Sequence, residues 1–206
     1  MKIKILKVGM MNTNCYIISD NETNEAAIID PGDEFELIVS EIEKLQVNLI
    51  CIFITHGHFN HISVADKLRE FYRVPIACAE DAEEYLKNQE LNLGFLAGLD
   101  INMEPDDILF NGDIVHIGNL DIKAISVLGH AKGSLCYYIE SENVVFSGDT
   151  LLKDSIGNTD MDINANHDLL ISEITENLLT LPYETIVYPG HGEQTTIEHE
   201  KMRLNS

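Results

Sequence analysis

The run "LICIFIT", Leu49 to Thr55, constrains this chain more than any other stretch. It is almost wholly apolar and reads as a strand buried on both faces, which requires a sheet covered by other elements on each side. It runs straight into "HGHFNH", where His56, His58 and His61 crowd the end of that strand. In extended backbone, residues two apart point to one side, so the imidazoles of His56 and His58 can share a single ion. His61 falls at the expected start of a helix.

The pattern around this strand predicts two similar halves. "IKILKV", "NCYIIS" and "EAAIID" read as an antiparallel meander, separated by the turn-rich "GMMNT" and "DNETN". Pro31 and Gly32 precede a helix over 34–46, and after the buried strand "ISVADKLREFY" reads as a helix, "VPIAC" as a strand and "EDAEEYLKN" as a helix. The segment from Gln89 to Pro105 carries mixed signals and reads as a loop or lid over a cleft. From Asn111, "DIVHIG", "LDIKAISV", "SLCYYIE" and "NVVFS" form a second meander, followed by a helix over 166–181, the strand "TIVYP" and a last helix near "TIEHEKMRL". The order is meander, αβα, meander, αβα. It predicts an α/β fold of four layers, two sheets face to face with helices outside, an αβ/βα sandwich. With 206 residues the chain fits one domain over 1–206.

Composition narrows the function class. The 35 acidic against 13 basic residues leave a formal charge of −22, which repels phosphate backbones and anionic membranes, so no nucleic-acid partner is expected. No apolar run approaches the length of a membrane span, and the N-terminal residues alternate like a strand instead of forming a signal peptide. Cys15, Cys51, Cys78 and Cys136 stand singly in apolar contexts, as buried reduced thiols do, and a cytoplasmic setting is expected.

Other metal-ligand side chains recur at strand ends. "VLGHAKGS" places His130 after a strand, "FSGDTL" places Asp149 after another and "VYPGHG" places His191 after a third. Strand ends are where sites assemble in α/β architectures. Imidazoles with one carboxylate suit zinc or iron, with manganese as a further option. Glycines 57, 129, 148, 190 and 192 beside them allow close backbone approach. His116, His167 and His199 lack such neighbours and read as structural or surface residues.

"THGHFNH", "GHAKGS", "FSGDT" and "YPGHG", with "NTNCYII" and "AIIDPGD" upstream, resemble the metallo-β-lactamase superfamily, in particular its short glyoxalase-II-like hydrolases. The resemblance covers nearly the whole chain. It implies a first metal held by His56, His58 and His130 and a second held by Asn60, His61 and His191, with Asp149 bridging both. The family pattern has aspartate where this chain has Asn60, and a neutral amide is a weaker donor to a dication, so one or two ions per chain are expected.

The resemblance further implies hydrolysis of a small-molecule thioester such as S-lactoylglutathione, by attack of metal-bound hydroxide. Asp149 and Asn60 are the candidate catalytic positions. A thiol leaves as thiolate without a strong general acid. Relatives carry a basic residue where Asn158 stands, so Lys132 and Lys153 are the candidate anchors for a substrate carboxylate. The rival readings are a mononuclear iron persulfide dioxygenase using His56, His130 and Asp149, and a non-catalytic metal-binding relative. Oligomeric state is not specified by any of these signals.

Overall fold

In the computed structural model, which describes residues 1–204, the chain opens with β1 (Lys2–Val8), β2 (Thr13–Ser19) and β3 (Glu25–Ile29), paired antiparallel as a meander. The helix α1 (Phe35–Leu45) then returns the chain so that β4 (Asn48–Phe53) lies parallel to β3. Ile38 and Ile42, one turn apart, form its buried stripe, while Glu36 in the first turn and Lys44 in the last complement the helix dipole.

Two short helices follow, α2 (Phe59–Ile62) and α3 (Ala65–Tyr72). The single helix expected over "ISVADKLREFY" is divided because Val64 leaves helical geometry (φ −113°, ψ 9°) and gives its N–H to the Pro31 carbonyl. His61 therefore belongs to α2. After β5 (Ile76–Ala79) and α4 (Glu83–Lys87), a three-residue edge strand, β6 (Asp107–Leu109), pairs parallel with β5. In the sequence the next strand signal comes only from Asn111 onward. So short a strand has no alternation to betray it and exists through its pairing.

The second half contains β7 (Ile114–Ile117), β8 (Leu120–Ser126), β9 (Leu135–Ile139) and β10 (Val144–Gly148), again antiparallel neighbours. A small hairpin of β11 (Leu151–Leu152) and β12 (Ser155–Ile156) follows. Next come α5 (His167–Glu173), widening over Ile174–Leu178 into a turn bonded i to i+5, then β13 (Ile186–Pro189), β14 (Thr195–Thr196) and α6 (Ile197–Leu204). β13 lies parallel to β10.

The sheets therefore run β1-β2-β3-β4-β5-β6 and β14-β13-β10-β9-β8-β7, both mixed. Alternation along β10 shows how they are used: Val144 and Phe146 join the core between the sheets, whereas Val145 faces Leu170, Ile174 and Leu178 on the helical side. Across the interior, the Phe53 and Tyr137 ring centroids lie 4.8 Å apart, and the Tyr137 hydroxyl donates to the Ile54 carbonyl at 2.7 Å. That bond fixes the sheet-to-sheet relation just before the histidine run begins. No helix among the described residues is long and apolar enough to cross a membrane. All four cysteines are buried, and burial pushes the Cys51, Cys78 and Cys136 thiols up to about 12, so they are unreactive.

Candidate metal centre

Four strand ends converge. His56 and His58 follow β4, His130 follows β8, Asp149 follows β10 and His191 follows β13. The donor atoms of His56, His58 and His130 lie within 4.8 Å of one another, and so do those of His61, Asp149 and His191. The six side chains that the sequence scattered over 136 positions form one continuous cluster at the rim of both sheets.

Hydrogen bonds occupy one nitrogen of each imidazole, and the other nitrogen faces inward. The Asp30 carboxylate accepts the Thr55 hydroxyl at 2.6 Å, so the Thr55 oxygen is left to accept His56 Nδ1–H at 3.0 Å. His130 Nδ1 donates to the Asn158 carbonyl at 2.8 Å. Both Nε2 lone pairs are then directed at each other across 3.3 Å. His58 Nε2 donates to Asp162 at 3.0 Å, which leaves its Nδ1 bare. His61 Nδ1 donates to Asp30 at 2.9 Å, and its Nε2, fully buried, has no hydrogen-bond partner. Acceptors facing acceptors in a buried site repel unless a cation lies among them. The residues present therefore fit metal ions, and the orphaned His61 Nε2 is the observation that tests the fit. His56, His58, His61 and His130 each also have the outer hydrogen-bond partner usual for metal-bound imidazoles.

Electrostatics separates the two halves of the cluster. Burial, reinforced by the neighbouring imidazoles, holds His56 well below its ordinary range, and burial holds His130 down at about 4. These two are ready to bind a cation without losing a proton. For His61 burial acts the same way, but Asp149 and Asp30 outweigh it and push it up to about 10. Burial likewise opposes the Asp149 charge, and His61 and His191 overcome it, holding the carboxyl well below its usual range.

His191 differs from the other four. Its Nδ1 donates to Asp149 Oδ1 at 2.7 Å, while Thr13 Oγ1 and Asn60 Nδ2 approach its Nε2 at 3.2 and 3.3 Å. Asn60 Nδ2 also donates to Thr13 Oγ1 at 3.0 Å. A carboxylate at position 60 has no such proton to give. The amide thus holds, by hydrogen bonding, an imidazole lone pair that an ion would otherwise take.

Gly190 sets how tightly these parts approach. A Cβ there would meet Asp149 Oδ1 at 2.3 Å and His61 Cε1 at 2.7 Å, so no larger residue fits between the two ligands.

The candidate substrate anchors are engaged elsewhere. Lys132 pairs with Asp81 at 3.1 Å and Lys153 with Glu193 at 2.5 Å, all exposed. The exposed Asn158 serves His130 through its backbone carbonyl. His116 and His199 bond Asp121 and Asp154 at the surface, and His167 is exposed at the start of α5. Sequence reasoning missed Asp30, Thr13 and the group around Asp162. Asp162 is 7 % exposed and accepts from His58, from the Tyr85 hydroxyl at 2.8 Å and from the Asn164 N–H at 2.7 Å. Asp30 lay inside the motif "AIIDPGD" and could have been found there, whereas nothing local distinguishes Asp162 from Asp154 or Asp160.

Two mixed sheets flanked by helices, with imidazole and carboxylate donors gathered at their strand ends, define an αβ/βα sandwich with a metal-binding rim. The metallo-beta-lactamase superfamily model matches residues 8–191, and this chain belongs to that superfamily. It is 35% identical over 204 residues to a probable metallo-hydrolase, YqgX, of Bacillus subtilis, covering 98% of this chain and 95% of the relative. It is 34% identical to the hydroxyacylglutathione hydrolase GloC of Haemophilus influenzae, with the same coverages. Among solved structures, the BLEG-1 B3 metallo-beta-lactamase superposes with a TM-score of 0.92 at 34% identity, covering 98% of this chain and 97% of that one. TTHA1623 in a di-iron-bound form superposes with a TM-score of 0.86 at 28% identity, covering 96% of each chain.

Proposed function

We propose that this chain is a metal-dependent hydrolase of small-molecule thioesters. The observation that carries the reading is the inward convergence of imidazole nitrogens, with His61 Nε2 buried, without a hydrogen bond and 3.5 Å from Asp149 Oδ2, a contact that calls for a proton or a cation. His56, His58 and His130 would hold one ion; His61, Asp149 and His191 would hold a second, with Asn60 contributing a neutral amide where the family pattern has a carboxylate. The donor set suits zinc, iron or manganese, and the di-iron form of TTHA1623 supports iron. When bound, such ions supply Lewis-acid activation of water and of a carbonyl.

The chain's own residues account for the rest. Asp149 orients His191 and faces both histidine groups, at 3.5 Å from His61 and 4.0 Å from His130. Asp30 holds His61 and, through Thr55, His56. The carboxyl at the centre, Asp149, is held ionised and offers no proton, which suits a leaving group that departs without a strong acid, and thiols, with a pKa of about 8.5, do so. The similarity to a hydroxyacylglutathione hydrolase supports a thioester substrate. The acidic charge and buried thiols support a cytoplasmic setting with neither nucleic-acid nor membrane partners.

Elemental analysis of metals per chain, run beside hydrolysis of a thioester panel, tests the reading. Thioester cleavage that follows metal content supports it. Iron-dependent oxygen consumption on a persulfide without thioester cleavage, or metal binding with no turnover at all, overturns it.

A further inference from the structure

The buried Asp162 that holds His58 is flanked in sequence by two side chains of opposite character to itself: Met161 is 59 % exposed and Ile163 is 89 % exposed. Together with Leu91, Leu93 and Phe95 from the segment between α4 and β6, they line a pocket of about 560 Å³ whose wall includes Asp162. That volume lies in the range of small-molecule sites, which are mainly apolar with few polar groups. The segment is anchored over the cluster, since the Asn92 carbonyl accepts the Phe59 N–H at 2.7 Å and Asn92 Nδ2 donates to the Tyr85 carbonyl at 3.0 Å.

Charge decides what can lie there. Among the described residues, the ionisable groups of the pocket wall are Glu90 and Asp162, and no lysine or arginine lines it. The nearest cation in sequence, Lys87, is paired with Glu83 at 2.6 Å and Glu104 at 3.0 Å, and Lys132, whose N–H donates to the Tyr85 hydroxyl, is paired with Asp81. An anionic group in this pocket would face two carboxylates with no counter-charge.

We infer that the pocket formed by Leu91, Leu93, Phe95, Met161 and Ile163 takes the uncharged aliphatic acyl chain of the substrate. This rests on the thioesterase reading and narrows it: the preferred substrates are neutral fatty-acyl thioesters, and acyl chains ending in a carboxylate are discriminated against. In the reaction the carbonyl carbon–sulfur bond breaks and a carbon–oxygen bond to water forms. The products are a carboxylate, a thiol and, at neutral pH, one proton released to solvent.

The test is a series of S-acyl-N-acetylcysteamine thioesters from acetyl to octanoyl on the full-length metal-loaded protein. kcat/KM rises roughly three- to fourfold per methylene until the pocket is filled, as expected for buried CH₂ groups. A glutaryl thioester is cleaved at least tenfold less efficiently than the pentanoyl one, and Glu90→Lys narrows that gap. Phe95→Ala and Ile163→Ser, both at exposed positions, flatten the chain-length slope. The matching non-scissile S-alkyl thioethers, titrated by calorimetry, separate this inference from the hydrolase reading. Hydrolysis with no dependence on chain length, or a slope indifferent to Phe95→Ala and Ile163→Ser, overturns the pocket assignment while leaving the thioesterase intact. Thioether affinity that climbs with chain length in a protein that cleaves nothing supports the pocket and overturns the hydrolase.

Discussion

His61 Nε2 and Asp149 Oδ2 face each other across 3.5 Å inside the protein, and no hydrogen bond serves the nitrogen. Something positive belongs in that contact. In the metal-free chain it is a proton, because Asp149 and Asp30 outweigh burial and raise His61 to about 10. An ion at this half of the cluster has to displace it.

Metal loading at the His61 half should therefore release about one proton per ion between pH 7 and 10, with affinity rising about tenfold per pH unit until it levels near pH 10. Loading at His56 and His130 should release none near pH 7, because burial keeps both neutral, His130 down to about 4. Zinc titration calorimetry in two buffers of different ionisation enthalpy reads both. Equal proton release at the two sites would contradict the assignment.

The raised value also stabilises the metal-free fold in a defined window. The folded His61 holds its proton more tightly than the unfolded one, so its contribution is full below about pH 6.5 and lost as pH climbs through about 10. Chelator-treated protein should show a urea midpoint that falls over this range, and His61→Gln should abolish that part of the slope.

Asn60→Asp exchanges the donor to His191 Nε2 for an acceptor and supplies a charge to the second ion. Occupancy of the second ion and turnover should rise together, with affinity gaining at least about tenfold, the scale seen when even outer groups of metal sites change. Elemental analysis and thioester rates on both forms check it. Identical stoichiometry and rate would separate Asn60 from metal binding.

Asp162→Asn retains the shape of the group that receives His58 Nε2–H and the Tyr85 hydroxyl but removes its charge. Metal affinity or activity should fall about 10- to 100-fold while the melting temperature shifts little. A variant that loses stability but binds metal normally would make Asp162 a structural residue only.

Gly190→Ala would place a methyl group 2.3 Å from Asp149 Oδ1, so Asp149 or His61 must move. Activity should drop by about 100-fold, as expected when a positioned group is displaced by an ångström. Retention of wild-type turnover would show that the cluster tolerates looser packing than the geometry indicates.

The sequence by itself determined the strand that carries the first histidines, because a run as apolar as Leu49–Ile54 can only be buried, and burial on both faces brings the sheet and its helices with it. It also determined the two meanders and the six donors His56, His58, His61, His130, Asp149 and His191, since turn residues, alternation and donor chemistry are local properties. Only the tertiary structure decided which nitrogen of each imidazole faces inward, for that depends on Asp30, Thr55, Asn158 and Asp162, partners drawn from up to 104 residues away. It likewise decided the break at Val64, the edge strand β6 and the side of Asn60 that meets His191. The physical reason is the same in each case: these features are set by a hydrogen-bond partner across space, and a linear pattern carries no record of which groups the fold will bring within three ångströms of one another.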